Sequence, residues 1–155
     1  MTNDARTEYR VKLIDEYRAT QHAHLIAENS RADALAGAFG TTACVHVEAY
    51  IFRMADELLP AYQGGFWDFI RLKDGGFYMA LDPRDSYQCQ VAGNGYHGEL
   101  SGDAAGIVCC MMVYSHMSFV AKGRLQELLT KHFHWVREYV ANGHPEARKI
   151  FAAID

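Results

Sequence analysis

A chain of 155 residues with 19 acidic and 15 basic side chains, net charge −4, has the length of one domain. It is too weakly acidic to imitate DNA: the duplex carries a phosphate charge about every 1.7 Å of axis, so mimicry of ten base pairs needs on the order of twenty acids in rows. Half the residues are hydrophobic and 22% are charged, an ordinary globular balance that requires no disulfide or metal for stability, and the scattered lysines and arginines mark out no basic face for strong nucleic-acid binding.

Taken in chain order, residues 4–29 predict a weakly patterned helix, with Ile14 and Tyr17 at helical spacing before "RATQHAH" interrupts the stripe. The polar start "MTNDARTEYRVK" shows no export signal. Residues 1–35 are expected to form a helical extension packed on a domain spanning 36–155, with the small residues of "ENSRADALAGAFG" connecting elements. Cys44, Val47, Ile51, Met54 and Leu58 then recur at three- and four-residue steps, the stripe of an amphipathic helix over about Thr42–Leu59. Thr41 or Thr42 is its candidate N-cap, and Pro60 stops it.

The period next changes to two. "FWDFIRL", "FYMAL", "SYQCQVA" and "YHGEL" are separated by "KDGG", "DPRD" and "GNG". Alternating segments joined by tight turns predict a four-stranded antiparallel meander. Ser101 is a plausible N-cap for a long apolar helix from "SGDAAG" onward, with Asp103 favouring its positive end. The stretch Ala104–Ala121 is near the lower limit for a bilayer span, but His116 and its serines make it a buried core helix, and no membrane association is expected. Gly123 breaks the run. A further helix carries Leu125, Leu128, Leu129, Phe133, Val136 and Val140, and a last one carries Ala147, Ile150, Phe151 and Ile154. The predicted class is α+β, one domain with helices before and after the meander.

Catalytic signals are sparse. The Gly-Gly pairs fit no phosphate loop, and "GNGYHG" flows into a strand instead of opening a helix. Among the eight histidines, His22/His24 and His132/His134 are two apart, so on helices they face different ways. No zinc-type quartet is present, and no metal or other cofactor is expected. The four cysteines form no CxxC and read as reduced, buried thiols of a cytoplasmic protein. An acidic and histidine cluster of Asp68, His97, Glu99 and Asp103 would make a small hydrolase or metal-dependent enzyme if those side chains converge; helix capping and strand-face polarity are the competing roles. The sheet aromatics suit a core, a protein interface or a single-strand stacking platform, the last weakened by the shortage of interleaved Lys and Arg.

"YQGGFWDFIRLKDGGFYMA", "VAGNGYHGELSGDAAGIV" and the ending "GHPEARKIFAAID" resemble the ArdB/KlcA antirestriction proteins over roughly residues 39–155. Gly102 departs from the alanine expected there. The resemblance implies a protein carried on plasmids or other mobile elements that relieves type I restriction–modification of incoming DNA. It implies no catalytic residues and no cofactor. The partner it implies is the type I enzyme, reached directly or indirectly, by non-covalent interaction rather than DNA mimicry. Interaction candidates on the expected exposed sheet face and chain end are Trp67, Asp68, Tyr78, Asn94, Asp103 and Asp155.

Overall fold

A computed structural model describes residues 3–155; Met1 and Thr2, at the start of the expected extension, lie outside the described residues. Helix α1 (Asn3–Thr20) is followed by the short strand β1 (His24–Leu25), α2 (Arg31–Phe39) and α3 (Cys44–Leu58). Strands β2 (Asp68–Arg71), β3 (Phe77–Ala80), β4 (Ser86–Val91) and β5 (Tyr96–Ser101) come next. Helices α4 (Gly102–Val120), α5 (Gly123–Ala141) and α6 (Ala147–Ile154) complete the chain.

The α3 stripe packs as its spacing predicts, with Cys44, Val47, Ile51 and Leu58 buried. Its N-cap is Ala43, with no side-chain hydrogen bond, so neither Thr41 nor Thr42 caps it. The segment expected as a connection contains α2, which buries Ala34, Leu35, Ala38 and Phe39 on one face. Gly64 and Gly65 both adopt positive φ, 85° and 136°, which lets the chain leave α3 and enter β2 without the Cβ clash an L-residue would meet. Gly75 (φ 99°) turns the β2–β3 hairpin, where its N–H reaches the Leu72 carbonyl at 3.0 Å.

The class is α+β, but the four-stranded meander is not formed. β1, β2 and β3 make one antiparallel sheet and β4 with β5 a second. The register pairs Asp68 with Ala80 in the first and Ser86 with Ser101 in the second. The reason lies at the free edge of β3. The Met79 N–H donates to Cys110 Sγ at 3.3 Å and the Leu81 N–H to the Gly102 carbonyl at 3.2 Å. The Tyr114 hydroxyl donates to the Phe77 carbonyl at 2.6 Å. Groups that would have paired with β4 are taken by α4, and backbone donors and acceptors satisfied there have no need of another strand.

Helix α4 is apolar on nearly every side and buried from Gly102 through Met111, as expected of a helix at the centre of a core. It has the length and apolarity to cross a bilayer, yet here its faces are covered by α3, α5, α6 and β3. Ser101 caps it, accepting the Ala104 N–H at 3.2 Å. A Cβ on Gly102 would lie 2.0 Å from the Asp82 carbonyl oxygen, and one on Gly106 2.4 Å from Ala80 Cα. Backbone cannot yield to such contacts, so α4 approaches β3 this closely only through glycine. The departure from alanine at Gly102 therefore has a steric cause in this chain.

Candidate functional site

The first turn of α4 carries Asp103 into the interior, where it is fully buried. Its Oδ1 accepts from Arg18 Nη2 at 2.5 Å and from the Tyr78 hydroxyl at 2.8 Å. Its Oδ2 accepts from His144 Nε2 at 2.7 Å. The opposite nitrogen of that ring, Nδ1, accepts the Glu146 N–H at 2.9 Å, which leaves the proton on Nε2 and makes His144 the neutral donor tautomer. Burial works to raise the Asp103 carboxyl. The His144 hydrogen bond and the Arg18 charge outweigh it and hold the group well below the usual carboxylate range. A carboxylate with three donors and a matching cation in a closed interior is a structural knot, with no lone pair turned toward solvent. Tyr17 seals its flank, donating to the Tyr139 carbonyl with its ring edge against His144.

The enzyme reading required Asp68, His97, Glu99 and Asp103 to meet. They do not: Asp68 lies on β2, His97 and Glu99 stand exposed on β5 of the other sheet, and Asp103 is sealed in the knot. Among the described residues no group of three or more His, Cys, Asp or Glu side chains is arranged to hold a metal ion.

Three of the interaction candidates prove to be core. Tyr78 and Asp103 have no exposed surface, and Trp67 is 4% exposed with its indole N–H donating to the Tyr62 hydroxyl at 3.0 Å. They were expected on the exposed face of the sheet, but β3 is buried along its whole length beneath α4 and α5, Trp67 packs just ahead of β2, and Asp103 lies in the buried first turn of α4. Asn94 shapes the β4–β5 turn. Its Oδ1 accepts the Tyr96 N–H at 2.9 Å and its Nδ2 donates to the Ala153 carbonyl at 2.8 Å. Asp155 lies with Asn94 on the wall of a hollow of about 240 Å³ at the end of α6. Asp68 is half-buried and faces Arg31 at 3.9 Å.

Arg31 also lines an open cleft beside that contact. This cleft of about 460 Å³ lies between α2, α3 and the start of β2, lined by Arg31, Glu48, Phe66, Trp67 and Phe69 among others. The Arg31 guanidinium sits 4.2 Å from the Phe66 ring centre and 5.0 Å from that of Phe69. Cation–π contact holds the fork flat and fixed. Its Nε is buried and has no hydrogen-bond partner, an unspent donor. Phe66, carried by the Gly64–Gly65 bend, is 61% exposed. Glu48 is half-buried, forms no ion pair among the described residues, and is raised by burial. Asp68 is likewise raised by burial, an effect that Arg18 and Arg31 partly oppose. Sequence reasoning named Trp67 and Asp68 as candidates here, included Phe66 only among the sheet aromatics that an interface could use, and missed Arg31 and Glu48. The available signal was the Gly-Gly step, which places an aromatic on a backbone no other residue pair could follow.

An arginine stacked on an exposed phenylalanine beside two partly desolvated carboxylates has the composition of a protein-recognition surface. The family model for antirestriction proteins matches residues 60–155. The chain belongs to the antirestriction protein family. Relatives in the family extend the match to the N-terminal side. The antirestriction protein KlcA of Escherichia coli is 38% identical over 134 residues, covering 86% of this chain and 94% of that protein. The putative antirestriction protein YubI of E. coli strain K12 is 34% identical over 114 residues, 72% of this chain and 80% of its own. A solved structure superposes with a TM-score of 0.78 at 39% identity over 86% of this chain and 94% of that one. It belongs to a description of KlcA and ArdB as a novel fold with antirestriction activity against type I DNA restriction systems in vivo but not in vitro.

Proposed function

We propose that this protein relieves type I restriction of incoming DNA in the cytoplasm, by non-covalent binding through the Arg31–Phe66 cleft and without catalysis. The observation that carries the functional reading is the near full-length match to KlcA, 94% of whose length this chain covers. Support for binding over catalysis comes from the sealed Asp103 knot and the dispersal of the other acids and histidines. A net charge of −4 supports a mode other than DNA mimicry, since a mimic must match the phosphate charge density.

The antirestriction activity described for KlcA and ArdB is seen in vivo but not in vitro. Carried over to this chain, that contrast favours a cellular intermediary as the cleft's direct partner, with the restriction enzyme affected at one remove. The test is plating of unmodified phage on a host with an active type I system. Expression of the wild type is expected to raise plating efficiency, and Arg31→Ala or Phe66→Ala to remove the gain at equal protein levels. Equal restriction with and without the wild type would overturn the reading.

A further inference from the structure

Charge in the Arg31–Phe66 cleft is unevenly partnered. Arg31 is engaged within the chain: Phe66 and Phe69 cover its guanidinium at 4.2 and 5.0 Å, Asp68 stands at 3.9 Å, and its Nε is shut off from solvent. The Glu48 carboxylate, on the α3 wall, has no hydrogen bond and no ion pair among the described residues. Burial raises its pKa, the mark of a charge that has given up water without gaining a counter-ion. One cation against two carboxylates leaves the cleft a surplus of negative charge, and that surplus sits on Glu48.

The walls around Glu48 narrow the occupant further. Val45 precedes it by three residues and Phe52 follows by four, so both share its face of α3, and both line the cleft. Val45 is 62% exposed and Phe66, ahead of β2, 61%. An unpaired carboxylate set among apolar surfaces suits a group with an apolar stem and a cationic head, and lysine and arginine are built that way. An anionic ligand would have Glu48 and Asp68 against it, while Arg31 is already shared between Asp68 and two rings. A wholly apolar ligand would strip water from Glu48 and leave it a buried, unpaired charge. The chain's net charge of −4 steers the same way, since partners carry complementary potentials. We infer that the cleft receives a lysine or arginine side chain of a partner protein, its stem on Val45 and Phe52 and its cationic head on Glu48. The inference rests on the binding role given to this cleft above.

NMR titration of the isotope-labelled full chain tests this with two blocked tripeptides at millimolar concentrations, one with lysine and one with glutamate between two leucines. The Gly65 amide and the Trp67 indole N–H report on the cleft. The Trp135 indole, outside the cleft lining, is the internal reference. The lysine peptide is expected to shift the two cleft signals saturably and leave Trp135 still, with the glutamate peptide at least about fivefold weaker. Glu48→Gln, which keeps the shape of the side chain, should weaken the lysine peptide by about the same factor, the scale of a partly exposed charge pair. It should also melt no lower than the wild type, because Glu48 has no partner on its own chain to lose. Equal binding of the two peptides, binding of neither, or a lysine preference that survives Glu48→Gln overturns the inference. So does a lower melting temperature for Glu48→Gln, which would mean an internal partner. Phage plating separates this result from the cleft reading. Glu48→Lys sets a cation where the partner's would sit and should remove the gain. If Glu48→Lys keeps the gain that Arg31→Ala loses, the basic occupant is overturned and the cleft stands. If Arg31→Ala, Phe66→Ala and Glu48→Lys all keep it, the cleft reading itself falls.

Discussion

Two arginine–aspartate pairs organise this molecule, and they behave differently. Arg18–Asp103 is closed at 2.5 Å, with side chains 8% and 0% exposed, and two further donors complete the carboxylate. Arg31–Asp68 stands at 3.9 Å with side chains 20% and 29% exposed, and its guanidinium keeps a donor unpaired. The same two residue types thus make a finished structural joint in one place and an open binding edge in another. What separates them is closure, not saturation, since Arg18 Nε is as unpartnered as Arg31 Nε: the first pair is short and sealed from solvent, and the second is long and partly exposed.

The sharpest way to break this contrast is Asp103→Ala. It strands a buried guanidinium and should cost about 3–5 kcal/mol, read as a lower urea midpoint at unchanged slope. A cost below about 1 kcal/mol would mean that Arg18 reaches water and the joint is not closed. The next effect follows pH. His132 is buried, its Nε2 lies 3.1 Å from the Ala38 carbonyl, and burial lowers its pKa to about 4. An unfolded histidine binds its proton near pH 6.5. Between those values the unfolded state holds the extra proton, so stability falls as pH falls, by on the order of 2 kcal/mol. Asp103, depressed in the fold, adds its own loss only below its unfolded pKa of about 4. Thermal melts from pH 7 to 4.5 should therefore decline in the wild type and flatten in His132→Leu, while the knot stays ionised throughout. Arg31→Ala should cost only about 1 kcal/mol, the scale of its cation–π contacts and a weak ion pair, yet abolish the gain in phage plating. Asp68→Asn is the mildest change. At 29% side-chain exposure it should move stability by no more than about 0.5 kcal/mol, and a larger loss would place it with the closed pair.

Local order was legible where one period ran unbroken. Cys44 to Leu58 announced α3, and the alternating segments located β2 to β5 within a residue or two. Pairing between β3 and β4 was not legible, because the decision rests on Cys110, Tyr114 and Gly102 of a helix that follows both strands. The helix α2 was hidden by Gly37 and its alanines, which read as a linker until Leu35 and Phe39 are seen one turn apart on a buried face. Arg18 left a faint signal: it follows Ile14 by four residues and so shares its buried face, but its partner lies 85 positions away. Both arginines precede residue 60, where the family-model match begins, so motif resemblance pointed to the acids and to neither cation.

The way α4 dresses β3 has a consequence for how this protein meets others. A bare strand edge invites another chain to add a strand, whether a ligand peptide or an aggregating neighbour. Here a thiol, a phenol and a helix-start carbonyl occupy that edge, spaced to the strand's own repeat. Strand addition is shut off at the centre of the fold. Recognition is left to side-chain surfaces, and the molecule can expose apolar contact patches without offering a template for fibril growth at its most hydrophobic strand.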